Sequence, residues 1–106
     1  MKVKGVYDMK IDHSKYQTLF EAILQLQTVE DCCSFFDDLC SIKELKDLSS
    51  RFEVALLLSE NKNYAEISEK TGASTATISR VNKCLLYGSD GYKTVIARLK
   101  EEGKIQ

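Results

Sequence analysis

TGASTATISRV, from Thr71 to Val81, is a run of eleven positions holding almost nothing but small, hydroxylated or methyl-bearing side chains, with one isoleucine, one valine and one arginine. It lies in a chain that is 29% charged. So slim a stretch lets something approach its backbone closely. Working outward, residues 63 to 86 fit two helices joined by a tight turn. Ile67 supplies the inward residue of the first helix, and Ile78, Val81 and Leu85 form the inward stripe of the second. Gly72 sits where the turn takes a backbone conformation that costs a side chain dearly. The spacing predicts a helix-turn-helix, although Thr71 is polar where such a turn usually buries an apolar residue.

On a helical wheel the opposite face of the second helix carries Ala76, Ser79, Arg80 and Lys83, flanked by Thr75 and Thr77. Short hydroxyl and methyl side chains let a helix sit deep in the major groove, against base edges and thymine methyls, while Arg and Lys engage phosphates or guanine. Ser74 ahead of that helix, with Tyr64 and Ser68 on the first, completes the candidate DNA-binding surface. The plainer alternative is a surface helix pair whose Ser and Thr are merely solvated. A protein-interaction module, using the same shape to bind another regulator, is the other alternative class. Salt dependence separates it from DNA binding, which weakens steeply as salt is added.

Charge supports a localised surface. The net charge is only −1, but residues 1 to 60 hold seven basic and eleven acidic side chains, and residues 61 to 106 eight basic and five acidic. Between Glu69 and Asp90 there is no acid at all, only Lys70, Arg80 and Lys83. No apolar run approaches the roughly 18 residues expected of a membrane span, so a cytoplasmic protein without membrane contact is expected. Cys32, Cys33, Cys40 and Cys84 lack paired CxxC spacing and are expected to be small buried hydrophobes. With His13 the sole histidine, neither a metal site, nor a cofactor, nor a general acid and base pair is expected.

There is no proline, and apolar residues recur at helical spacing throughout. Tyr16, Leu19, Phe20, Ile23 and Leu26 make one stripe, Leu45, Leu48, Phe52 and Ala55 another, and Tyr92, Val95, Ile96 and Leu99 a last. Between them, Cys32, Cys33, Phe35, Phe36, Leu39 and Cys40 cover more than one helix face, which calls for neighbours on several sides and so for a second subunit. Helix starts are expected at Ser14 with Gln17, Thr28 with Asp31, Ser41 with Glu44 and Asn63 with Glu66. Gly88 and Gly91 bracket a turn in which Ser89 or Asp90 is expected to cap the final helix. A single all-α domain follows: an extension over 1–13, dimer-core helices over 14–60, the helix-turn-helix over 63–87, and a C-terminal core helix over 90–102.

SRFEVALLL followed by YAEISEKTGASTATISRVNKCLLYGSDGY closely resembles the Trp repressor family, in particular its YerC/YecD-type branch. The resemblance covers nearly the whole chain from about Ser14. It implies a six-helix DNA-binding subunit whose first three helices and last helix interlock with those of a second copy in an intertwined homodimer. The fourth and fifth helices are left as a protruding reading head. In Trp repressors an indole corepressor sits between core and head. The family's two ligand-contacting arginines match Arg51 and Arg80, and its threonine near the end of the second helix matches Ser41. Where the family has glycine after the second arginine this chain has Val81, and a leucine and a serine position become Cys40 and Cys84. The charged rim of an amino-acid site is retained while its interior has changed, which leaves a small anionic effector as a candidate partner. Arg51 has an alternative role as a core-to-head ion pair, and Arg80 as a phosphate contact.

Overall fold

A computed structural model of the chain describes residues 12–106. It contains a short 3₁₀ turn over His13–Tyr16 and six helices: α1 (Gln17–Ile23), α2 (Val29–Leu39), α3 (Ile42–Ser59), α4 (Tyr64–Thr71), α5 (Thr75–Tyr87) and α6 (Gly91–Glu101). Among the described residues there is no strand. All of the expected N-terminal extension but Asp12 and His13 lies outside the described residues.

Side chains that accept from otherwise unpaired amides fix most helix starts. Ser41 and Glu44 form a reciprocal capping box: the Glu44 amide donates to Ser41 Oγ at 3.1 Å and the Ser41 amide to Glu44 Oε1 at 2.8 Å. Asn63 and Glu66 repeat it, with distances of 2.8 and 3.4 Å. The bonds from Ser41, that of its amide first, hold the Glu44 carboxyl below the usual range. This contribution is therefore present above the ordinary glutamate value and is lost as pH falls through the lowered one.

Two expected caps differ. At Thr28 the hydroxyl accepts from the Asp31 amide, but Asp31 reaches past Thr28 to accept from the Gln27 amide at 3.0 Å. Ser14 does not start α1 at all. Its amide and hydroxyl both donate to Asp12 Oδ1, at 3.1 and 2.6 Å, and Gln17 donates to Glu21 instead of reaching back. A carboxylate out-competes a hydroxyl as an acceptor, so the chain closes a 3₁₀ turn first, and α1 begins behind Tyr16 with no side-chain cap. At the other end of the chain Asp90 does occupy the cap position of α6. Its backbone is left-handed (φ 67°), however, and its side chain makes no capping bond.

The core belongs to the second half of the chain. Val54 and Ala55 of α3, Ile67 of α4, Ala73 of the turn, Ile78 and Val81 of α5 and Ile96 of α6 are the buried hydrophobic residues. Around them α3 packs on α4, α5 and α6, and α5 packs on α4 and α6. Phe52 and Tyr92, with ring centroids 6.3 Å apart, tie α3 to α6. Ile67 and Ile78 are fully enclosed, a burial contributing roughly 1.5–3 kcal/mol each.

No residue of α1 or α2 is buried. Leu24 is 78% exposed, Val29 74% and Ile42 82%, and Phe20, Leu39, Leu48 and Val95 also stand open to solvent. The expectation that the four cysteines are buried is not met in the single chain. Cys32 and Cys33 are exposed on an α2 that its own chain does not cover, Cys40 is half-buried, and Cys84 is exposed on α5.

The chain leaves α5 through Gly88, whose amide donates to Cys84 O at 2.9 Å. A Cβ there would lie 2.5 Å from that carbonyl oxygen and 3.1 Å from Cys84 Cα, a clash with helix backbone that cannot swing away. At Gly91 a Cβ would meet nothing within 4 Å. Gly88→Ala is expected to lower stability by about 1–3 kcal/mol. Gly91→Ala should be neutral or stabilising by up to ~1 kcal/mol. Thermal denaturation of the pair checks this, and equal midpoints would refute the close approach at Gly88.

Candidate nucleic-acid interface

Gly72 adopts φ 75°, ψ 2°, the left-handed conformation that ends α4 and turns the chain toward α5, as its position in the sequence requires. The oddity of a polar Thr71 resolves here. Its hydroxyl donates to Ile67 O at 2.8 Å and accepts from the Ala73 amide at 3.1 Å. Ser68 Oγ, from the preceding turn of α4, donates to Ala73 O at 3.0 Å. Ser74 then caps α5, accepting from the Thr77 amide at 3.1 Å and donating to Thr77 Oγ1 at 3.1 Å.

With Ile78 and Val81 turned into the core and Leu85 half-buried, the other face of α5 presents Thr75, Ala76, Ser79, Arg80 and Lys83, all exposed. Its thirteen residues make a rod of roughly 20 Å, slim enough at this end for a groove about 12 Å wide. Three expected contact residues lie elsewhere. Thr77 is half-buried and turned toward a cleft behind α5, Ser68 is half-buried beneath the turn, and Tyr64 packs against the core at the start of α4.

That cleft, of about 640 Å³, lies between α3, the turn, α5 and α6. It brings together Arg51, Arg80, Val81 and Cys84. Val81, only 2% exposed, lies on its wall with its bulk in the core. Among the described residues neither Arg51 nor Arg80 has a hydrogen bond or ion pair, so the core-to-head ion pair considered for Arg51 is not formed. Ser41 is not in this cleft. It lines a separate depression of about 330 Å³ between α2 and α3, with Phe36, Cys40 and Leu45.

Five lining residues were not foreseen as site residues from sequence: Asp47, Ser50, Gly72, Ala73 and Tyr92. The first two precede Arg51 by four and one positions, and the helical spacing of Asp47 was a usable signal. Burial pushes the Tyr92 phenol up, the neighbouring Cys84 adds to this, and Arg51 and Arg80 oppose it. Tyr92 therefore remains a neutral hydroxyl facing two cations. No three of the His, Cys, Asp and Glu side chains converge among the described residues.

A tight, glycine-turned helix pair with an exposed, small-residue second helix defines the helix-turn-helix class. The chain belongs to the Trp repressor family, whose model, described as Trp repressor protein, it matches over residues 14–100. It is 49% identical over 92 residues to the uncharacterized protein YerC of Bacillus subtilis (strain 168), covering 87% of this chain and 88% of that one. Among solved structures it is similar to a TrpR-like protein from Eubacterium eligens ATCC 27750, at 53% identity and a TM-score of 0.79, covering 82% of this chain and 90% of that one. It is also similar to a candidate Trp repressor from Staphylococcus aureus, at 42% identity and a TM-score of 0.83, covering 88% and 96%. The similarity to YerC agrees with the branch that the motif resembles. Fold and family are those of helix-turn-helix regulators, and no described helix is long and apolar enough to cross a membrane.

Proposed function

We propose that this chain is a sequence-specific DNA-binding transcriptional regulator that acts as a homodimer and reads the major groove with α5. The observation that carries this is the outward face of that helix: Thr75, Ala76, Ser79, Arg80 and Lys83 stand exposed in a segment free of acids, on a helix held rigidly by its opposite face. Ser74 at its start is exposed too. The open apolar side chains of α1, α2 and the first half of α3 support the second copy. Selection of bound fragments from a random duplex pool, followed by titration against salt, is the test. Enrichment of a two-fold symmetric site with a steep salt slope supports the proposal. No enrichment, or protein binding indifferent to salt, would favour an interaction module instead.

The cleft supports an effector of limited kind. Two unpaired guanidiniums and a neutral Tyr92 hydroxyl suit a small anion, held by charge-assisted hydrogen bonds. An indole suits it less. Val81 stands where Trp repressors have glycine; its bulk lies in the core, but it also forms part of the cleft wall, so an indole pressed against it meets a close-packed surface that yields only with strain of roughly 1–3 kcal/mol. L-Tryptophan is therefore expected to bind weakly or not at all and to leave duplex affinity unchanged. Calorimetry with tryptophan, beside duplex titrations with and without it, checks this. Micromolar affinity coupled to tighter DNA binding would restore the corepressor model.

A further inference from the structure

Ala73 stands at the joint between α4 and α5 with only 8% of its surface exposed, its methyl group in the core. A largely buried residue in a non-helical joint has a backbone N–H and C=O with few waters to turn to, and each calls for a partner. Both partners are side-chain hydroxyls of α4. Thr71 Oγ1 takes the amide at 3.1 Å, and Ser68 Oγ gives its proton to the carbonyl at 3.0 Å. A hydroxyl near a helix end commonly bonds back to the carbonyl four residues earlier. Thr71 does so, to Ile67 O, and then accepts as well, while Ser68 bonds forward, five residues along the chain. The two hydroxyls hold one residue's backbone from opposite ends, across the left-handed Gly72.

We propose that Ser68 and Thr71 are positioning residues that fix the angle between α4 and α5 by clamping Ala73, and so set how the reading helix meets DNA. The second half rests on the function proposed above; the first stands without it. The clamp replaces the apolar contact that such a turn usually carries at the position of Thr71. A hydrophobic contact tolerates sliding, whereas two directional bonds on one residue do not. With either hydroxyl gone, a part-buried backbone group is left unpaired, and the joint relieves that by opening toward water, which swings α5.

The test uses the full chain and five variants: Ser68→Ala, Thr71→Val and their combination, which lack hydroxyls, and Ser68→Thr and Thr71→Ser, which keep them. Residual dipolar couplings give the α4-to-α5 orientation, amide exchange reports the Ala73 N–H, and duplex selection reports base and half-site preference. In Thr71→Val the Ala73 amide is expected to exchange at least about tenfold faster, the scale of one missing hydrogen bond. The combined variant should show a rotated α5 and a changed or broadened half-site preference, while Ser68→Thr and Thr71→Ser behave as the parent. Simple loss of stability would lower the bound fraction without altering which sites are preferred. An unchanged orientation in the combined variant overturns the proposal, as does an equal change in the hydroxyl-keeping pair. If the parent protein selects no duplex, DNA reading fails, and the couplings still decide the clamp.

Discussion

Aspartate at both Leu45 and Leu48 is expected to abolish assembly of the protein, weakening self-association by at least about a thousandfold, roughly 4 kcal/mol. These side chains are 38% and 43% exposed in the single chain, and Phe20, Leu39 and Val95 are further apolar side chains left open to solvent. The second copy proposed above would cover this face, because α2 is apolar over a wide arc and its own chain leaves Phe35 and Phe36 only half-buried and buries no residue of the helix fully. A two-fold interface repeats every substitution, so four carboxylates enter one dimer. Each unpaired charge withdrawn from water costs several kcal/mol. The core of Val54, Ile67, Ile78 and Ile96 lies elsewhere and should retain helical structure in the variant. Sedimentation at micromolar concentration, with circular dichroism beside it, reads both effects. A parent protein that sediments as a stable, folded monomer would sink the dimer.

The second large effect is expected at Ala76. Its methyl group is exposed near the start of α5, so Ala76→Trp should fold normally and yet lose specific DNA affinity by about a hundredfold or more. A bulky ring at that point keeps the helix out of a groove only about 12 Å wide, which removes base recognition on both half-sites together. Lys83→Ala makes the contrast. It should weaken binding to all sequences alike and reduce the salt slope by about one for each phosphate the lysine had neutralised. Thr75 substitutions should instead change which bases are preferred. Unaltered duplex binding by all three would move the DNA-facing surface away from α5.

Local rules were legible wherever partners lie within a few residues. Ser41 with Glu44, Asn63 with Glu66, and the left-handed Gly72 are decided by one turn of chain, and the structure bears out each. The inward stripe of α5 was legible for a related reason, since Ile78 and Val81 repeat at helical spacing against a single core. Competition between neighbours defeated the same rules at Ser14, where Asp12 is the better acceptor two residues earlier. Tertiary placement defeated them at Cys32 and Cys33, because composition says that a thiol prefers burial but not whether its helix has anything to pack on. The cleft was only partly legible. Arg51, Arg80, Val81 and Cys84 converge as the family resemblance implies; Asp47 was within reach of helical spacing from Arg51 on α3, whereas Tyr92 comes from α6, which meets α3 and α5 only in three dimensions. Ser41 lies in another depression.

The division of the chain into a self-sufficient half and an uncovered half also bears on gene dosage. Among the described residues every buried apolar side chain lies from Val54 onward, while no residue of α1 or α2, made first during synthesis, is fully buried by its own chain. At translation rates of roughly 5–20 residues per second, those helices wait several seconds for the rest of their own chain and longer for a second one. In the homodimer proposed above, as long as copies are too scarce for most chains to pair, the concentration of paired chains rises as the square of the number made. Halving expression would then remove about three quarters of the paired protein, so the strength of the gene's own promoter would tune its output more sharply than one-for-one.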